Sequence, residues 1–164
     1  MMNGPSKLYT KLNELNINFD YFEHEEVPTI ESAIEVKKNI PGIFCKNLFF
    51  RNHKGKKHFL VLLHHAYQLD IKILESLLKQ GKLSFASEKR LDKYLGLKPG
   101  SVSPFGLIND REAHVHVFID SNLKNQQKLS FHPTVNNASL LISTEDLIKF
   151  IDDNGNSYEF IDLY

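Results

Sequence analysis

The chain has 164 residues, 41% of them hydrophobic, enough for one core and too few for two comfortable domains. Its 20 basic and 20 acidic residues cancel, which excludes the global positive field of a non-specific nucleic-acid binder, so any RNA contact must be local. The single cysteine, Cys45, excludes an internal disulfide and a cysteine-rich zinc site, in keeping with a reducing compartment.

Leu8, Leu12 and Leu15 recur at i, i+4, i+7 behind Pro5 and predict a short amphipathic first helix. Alternation of Phe19 and Tyr21 with polar neighbours predicts a strand over 18–23, and Pro28-Thr29 opens a second helix carrying Ile30, Ala33 and Ile34, stopped by Pro41-Gly42. Two apolar runs, 43–51 and 58–64, flank a Gly55-containing loop and predict a hairpin of central strands. Asp70 and Gly81 bracket a helix whose buried face would include Leu74, Leu77 and Leu78; Ser87 and Gly96 bracket another. No period holds from Leu97 to Leu107, where two prolines and two glycines punctuate a structured loop. Strands are predicted over 115–120, 128–132 and 139–143. A capping box at Ser143 to Asp146 opens a last helix, and 158–163 adds an edge strand. The expected class is α+β: one domain over 1–164 with a mixed, largely antiparallel curved sheet surrounded by helices. Met1 to Lys11 shows no leader pattern, and no later run of about 18 apolar residues appears, so a soluble cytoplasmic protein is expected.

No Walker loop, G-x-G-x-x-G or G-x-S-x-G is present, and His24-Glu25-Glu26 fails as a zincin because position 28 is Pro. His114 and His116 share a strand face and would need His132 to approach a metal site, but no cysteine or spaced carboxylate completes it; two solvent-side histidines on an antiparallel strand need no metal. Cys45 reads as a buried thiol, since reactive thiolates need accessible, electropositive surroundings. Lys46 interrupts an otherwise apolar strand: it either snorkels to water at a strand end or stands in a cleft to hold an anion or carbonyl oxygen. The segment Gly100-Ser101-Val102-Ser103-Pro104 is either a rigid turn or a loop that aims backbone donors at an oxyanion. His132, at a strand end before Pro133 and Asn136, is either a structural hydrogen-bonder or a member of a site.

Taken in order, His24-x-x-x-Pro28-Thr29, Gly42-x-x-x-Lys46-Asn47-Leu48-Phe49, Asp70, Leu83-Ser84-Phe85-Ala86-Ser87, Pro99 to Gly106 and Phe131-His132-Pro133-x-x-Asn136 resemble the YbaK-like aminoacyl-tRNA editing family, in its free-standing prolyl-tRNA editing branch. The resemblance spans roughly positions 20 to 150. It implies a cleft for the aminoacylated 3′ end of tRNA(Pro), hydrolysis of a wrongly attached alanine, and no metal or cofactor. The implied catalytic set is Lys46, Gly100, Ser101 and His132, with the 2′-hydroxyl of the terminal adenosine assisting the water. Pro28, Thr29, Asn47, Val102, Ser103, Pro104 and Asn136 would line the substrate, and Ile30 and Ile34 are candidates to face its methyl group. Lys54, Lys56 and Lys57 at the hairpin tip are candidates for tRNA phosphates, or a solvated turn. The implied partners are aminoacylated tRNA(Pro) and, transiently, prolyl-tRNA synthetase, with no DNA and no membrane. Two other readings stay open: a deacylase of cysteinyl- or seryl-tRNA, and a non-catalytic aminoacyl-tRNA-binding regulator.

Overall fold

A computed structural model describes residues 1–163. Five helices, α1 (Ser6–Glu14), α2 (Ile30–Lys37), α3 (Ile71–Leu78), α4 (Glu88–Leu95) and α5 (Thr144–Asn154), surround one sheet built from β1 (Asp20–Glu23), β2 (Ile43–Arg51), β3 (His58–His64), β4 (Ser84–Phe85), β5 (His116–Asp120), β6 (Leu129–Phe131), β7 (Ala138–Ile142) and β8 (Tyr158–Ile161). The strand order is β1-β7-β6-β2-β3-β5-β8, with β4 on β2 off this path. The β2–β3 hairpin, β1–β7, β6–β7 and β2–β4 are antiparallel; β2–β6, β3–β5 and β5–β8 are parallel. This is the mixed α+β sheet that the sequence pattern predicts.

β3 shows why the sheet needs cover on both faces. Leu60 and Leu62 join the larger core with Leu8, Leu12, Leu91, Leu95, Phe131 and Phe150, while Phe59, Val61 and Leu63 join a second core with Phe50 and Leu74. Period-two alternation thus delivers apolar side chains to both faces, and α1, α4 and α5 cover one while α3 covers the other. Helix starts follow local chemistry: Asp70 accepts from Lys72 N, Ser87 from Arg90 N and Ser143 from Asp146 N, and Thr29 and Ser32 form a reciprocal capping box.

Four expectations need correction. α3 ends at Leu78 with Lys79 itself left-handed (φ 53°), so Gly81 lies in the following turn rather than at C′. Leu77 is 54% exposed, because the short helix turns only Leu74 fully inward. The stretch after Pro99 contains a 3₁₀ turn, Pro104–Asn109, started by Ser103, whose hydroxyl accepts from Phe105 N. The strand β5 bearing His116 pairs in parallel with both neighbours, and His114 precedes it. No helix among the described residues is long and apolar enough to cross a membrane.

Candidate functional site

Along its edge away from β3, β2 meets β6 only at Ile43 and Phe44, and β4 only at Phe50 and Arg51. Neither short ladder reaches residues 45–48. The sheet opens there into a cleft of about 210 Å³ lined by Val27 to Ile30, Ala33, Phe44 to Leu48, Gly100, Val102 and His132. Drug-sized ligands occupy roughly 300–1,000 Å³, so this cleft suits a small group.

Each polar wall group is held. Lys46 is half-buried in the cleft wall, and its Nζ donates to the Tyr67 carbonyl at 3.0 Å in an exposed hydrogen bond that tethers the ammonium. Asn47 Nδ2 donates to the Cys45 carbonyl at 3.3 Å, while its Oδ1 is buried without a hydrogen-bond partner. An orphaned acceptor costs about 1–3 kcal/mol, a cost that a donor on a bound molecule would offset. Gly100 adopts φ +89° with the Pro28 carbonyl close by, so it presents backbone rather than a side chain to the cleft.

His132 is 7% exposed, and its Nδ1 lies 2.9 Å from the Ala138 carbonyl. A carbonyl only accepts, so Nδ1 carries the proton and Nε2 remains an acceptor. Burial, and then the nearby charge of Lys37, push its pKa down to about 4. His24 sits 6.0 Å away ring to ring, donating from Nδ1 to the Glu25 carbonyl and accepting at Nε2 from Ser139 Oγ.

Because the unfolded histidine protonates near 6.5 and the folded one near 4, His132 contributes stability that is complete above pH 6.5 and is lost as pH falls toward 4. The expected share is about 3 kcal/mol. Urea unfolding of wild type and His132→Gln at pH 7 and pH 4.5 checks this: the pH dependence should be shallower in the variant, and an unchanged slope would show that His132 is not the group responsible.

The other predicted residues fall into three groups. Pro28, Thr29, Ile30, Asn47 and Val102 line the cleft with Lys46, Gly100 and His132. Ser101, Ser103, Pro104, Ile34 and Asn136 do not: Ser101 N donates to the Lys98 carbonyl, Ser103 and Pro104 start the 3₁₀ turn, Ile34 is 37% exposed, and the Asn136 carbonyl accepts from Val27 N. Lys54, Lys56 and Lys57 are exposed at the far end of β2. His114 and His116 share no site with His132, for His114 Nε2 meets His58 Nδ1 at 2.9 Å and His116 Nδ1 meets Ser157 Oγ at 2.6 Å. No cluster of three potential metal ligands occurs among the described residues. Cys45 is buried, and burial raises its thiol to about 12, so it stays protonated.

Sequence reasoning missed Lys37. α2 leaves Ile30, at the cleft, and Ile34 exposed, at 45% and 37%, and turns Ala33 and Lys37 inward. Lys37 Nζ donates to Ser130 Oγ at 3.3 Å and stands 4.3 Å over the Phe44 ring. A signal existed, since Lys37 lies four residues after Ala33 on one helical face.

The sequence pattern of the family described as "Aminoacyl-tRNA editing domain" matches residues 24–150. The "Prolyl-tRNA editing protein ProX" of Acetoanaerobium sticklandii is 41% identical over 162 residues, covering 99% of each chain. The "Prolyl-tRNA synthetase associated domain-containing protein 1" of Danio rerio is 31% identical over 144 residues, 87% of this chain and 78% of its own length. Among solved structures, one described as a candidate trans-editing enzyme for prolyl tRNA synthetase superposes with a TM-score of 0.71 at 18% identity, covering 96% of this chain and 95% of that one, a likeness of fold.

Proposed function

The chain belongs to the aminoacyl-tRNA editing domain family, and on that premise we propose that it is a trans-editing deacylase that hydrolyses mischarged tRNA(Pro), with alanine as the acyl group removed. The observation that carries this reading is the small cleft at the open edge of β2, where Lys46, Asn47, the Gly100 backbone and His132 meet an apolar wall of Val27, Ile30 and Ala33.

An aminoacyl ester is already activated toward water, so the site needs to orient it and stabilise an oxyanion rather than supply a covalent nucleophile. Water oxygen bonds to the carbonyl carbon, the bond from that carbon to the ribose oxygen breaks, and the water proton ends on the ribose oxygen. Lys46 Nζ, moored at Tyr67, is the cation available to the developing oxyanion. Asn47 Oδ1 accepts from the substrate's ammonium or hydroxyl, which supplies the donor this buried atom lacks. His132 Nε2 can orient the water while remaining neutral across the physiological range. The cleft can act as a second sieve: a synthetase built for proline cannot strongly reject a smaller side chain by lost contacts alone, and the wall of Val27, Ile30 and Ala33 offers an alanyl methyl group an apolar contact.

The test is single-turnover deacylation of alanyl-tRNA(Pro), with prolyl-tRNA(Pro), alanyl-tRNA(Ala), cysteinyl-tRNA(Pro) and seryl-tRNA(Pro) for comparison. Selective loss of alanine supports the proposal. Preference for the cysteinyl or seryl ester moves the acyl specificity, and tight binding with no turnover leaves a non-catalytic binder. Gly100→Ala supplies a second check. Its Cβ would lie 3.3 Å from the Pro28 carbonyl oxygen in a backbone region that costs an L-residue about 1–2 kcal/mol. The expected result is a tenfold or greater drop in kcat/KM, on the order of 1.4 kcal/mol, with the fold retained by circular dichroism; wild-type kinetics would remove Gly100 from the site.

A further inference from the structure

The chain is neutral overall, yet its charge is sharply divided in space. Three segments, 51–57, 79–82 and 88–93, hold nine of the 20 Lys and Arg residues and only two of the 20 Asp and Glu residues, so they carry +7 against −7 for the rest. Tertiary structure brings them to one end. β4 pairs with Phe50 and Arg51 at the hairpin end of β2, which places the turn before it beside the tip. A Cβ on Gly81 of that turn would lie 3.3 Å from His53 Cβ. Arg90 of α4 donates to the Gly55 carbonyl in the hairpin loop at 2.8 Å, tying the third segment to the first.

The lysines of this end are available. Those of all three segments are exposed, and no ion pair among the described residues engages any of them. In their midst Phe85 is 58% exposed, with one face stacked on Phe50 at 4.6 Å. A cluster of exposed cations repels itself, and an anionic partner relieves that repulsion. Exposed lysines around an apolar ring form a surface that can follow a nucleic-acid phosphate backbone while the ring packs against sugar.

We propose that this end of the molecule, built from the β2–β3 tip, the α3–β4 turn and α4, docks the phosphate backbone of the acceptor stem of the tRNA. The inference rests on the deacylase reading and assigns it a second, separate contact. Lys46 stands near the middle of β2 and the hairpin tip follows its last residue, Arg51, so the two lie roughly 20 Å apart at about 3.3 Å per residue, a distance the unpaired 3′ end can span before the duplex begins. The cleft then selects the acyl group while the basic end supplies affinity and on-rate without reading bases. The local charge division reconciles RNA binding with a neutral chain.

The test compares wild type with K54E/K56E/K57E and, separately, K89E/K93E, on alanyl-tRNA(Pro) and on a minimal alanyl-adenosine ester, from about 50 to 200 mM salt. Expected is a rise of at least tenfold in KM for the tRNA, a shallower dependence of log KM on log salt, and unchanged kcat/KM for the minimal ester. Wild-type KM and salt slope for both variants on tRNA would overturn the proposal while leaving the deacylase reading intact. If wild type hydrolyses neither substrate, the deacylase reading fails. Binding of uncharged tRNA by the same variants still decides the basic end: weakened binding supports it and unchanged binding overturns it. Loss of binding to prolyl-tRNA synthetase with tRNA affinity unchanged would assign the surface to a protein and overturn it too.

Discussion

Lys46→Ala is expected to slow single-turnover hydrolysis of alanyl-tRNA(Pro) by about 10²–10³-fold, the loss of one well-placed oxyanion donor at about 3–4 kcal/mol. The magnitude follows from how the side chain is held. Its Nζ is already tied to the Tyr67 carbonyl at 3.0 Å in a half-buried wall of the cleft, so little reorganisation is needed when charge develops on the substrate. Because the interaction strengthens as the carbonyl oxygen becomes negative, the loss should fall on kcat, with KM moving little. Lys46→Met retains most of the packed stem and should be as inactive as the alanine variant. A Lys46→Met enzyme within threefold of wild type would remove the charge from the mechanism, and a change confined to KM would make Lys46 a ground-state anchor only.

Lys37→Met is expected to stabilise the protein by about 1–3 kcal/mol at pH 7, the reverse of the usual cost of a core substitution. Lys37 is 7% exposed, with Ser130 Oγ and the Phe44 ring for company, and burial lowers its pKa from 10.5 to about 8. That displacement corresponds to about 3 kcal/mol of penalty on the charged form, part of which the hydrogen bond and the cation–π contact offset. The unfolded chain keeps its proton up to about 10.5, whereas the folded chain releases it near 8, so wild-type stability rises with pH between those values. The advantage of the methionine variant should therefore be greatest below pH 8 and shrink as pH rises to 10.5. Urea unfolding at pH 7 and pH 10 measures both points; a variant less stable than wild type at pH 7 would mean that the ammonium's contacts outweigh its burial. Removing this charge should also let His132 protonate at higher pH, since Lys37 is one cause of its depression.

Much of the fold is legible because its determinants are local. The β2–β3 hairpin follows from two apolar runs around Gly55, and the starts of α3, α4 and α5 follow from Asp70, Ser87 and Ser143, whose side chains reach a backbone N–H within the next turn. Lys46, the Gly100 loop and His132 stand out for the same reason: each violates its local pattern, with a cation in an apolar strand, a glycine–proline loop without a period, and a histidine at a strand end. Leu77 and Gly81 mislead because helical spacing does not tell how far a short helix is covered or which residue takes its left-handed cap.

By itself, then, the sequence determined the α+β class and the order of the principal elements, which depend on residues a few positions apart, while Lys46, the Gly100 loop and His132 were marked as a common site by their resemblance to the family. Tertiary structure alone decided where the sheet opens, since the gap at residues 45–48 exists only because β6 and β4 stop short along the same edge of β2. It also decided that α2 turns Lys37 inward and leaves its isoleucines exposed, and that three basic segments spread over some forty positions share one end of a neutral molecule. Such facts depend on which distant backbones pair and which face of a helix is covered, and periodicity along the chain carries neither.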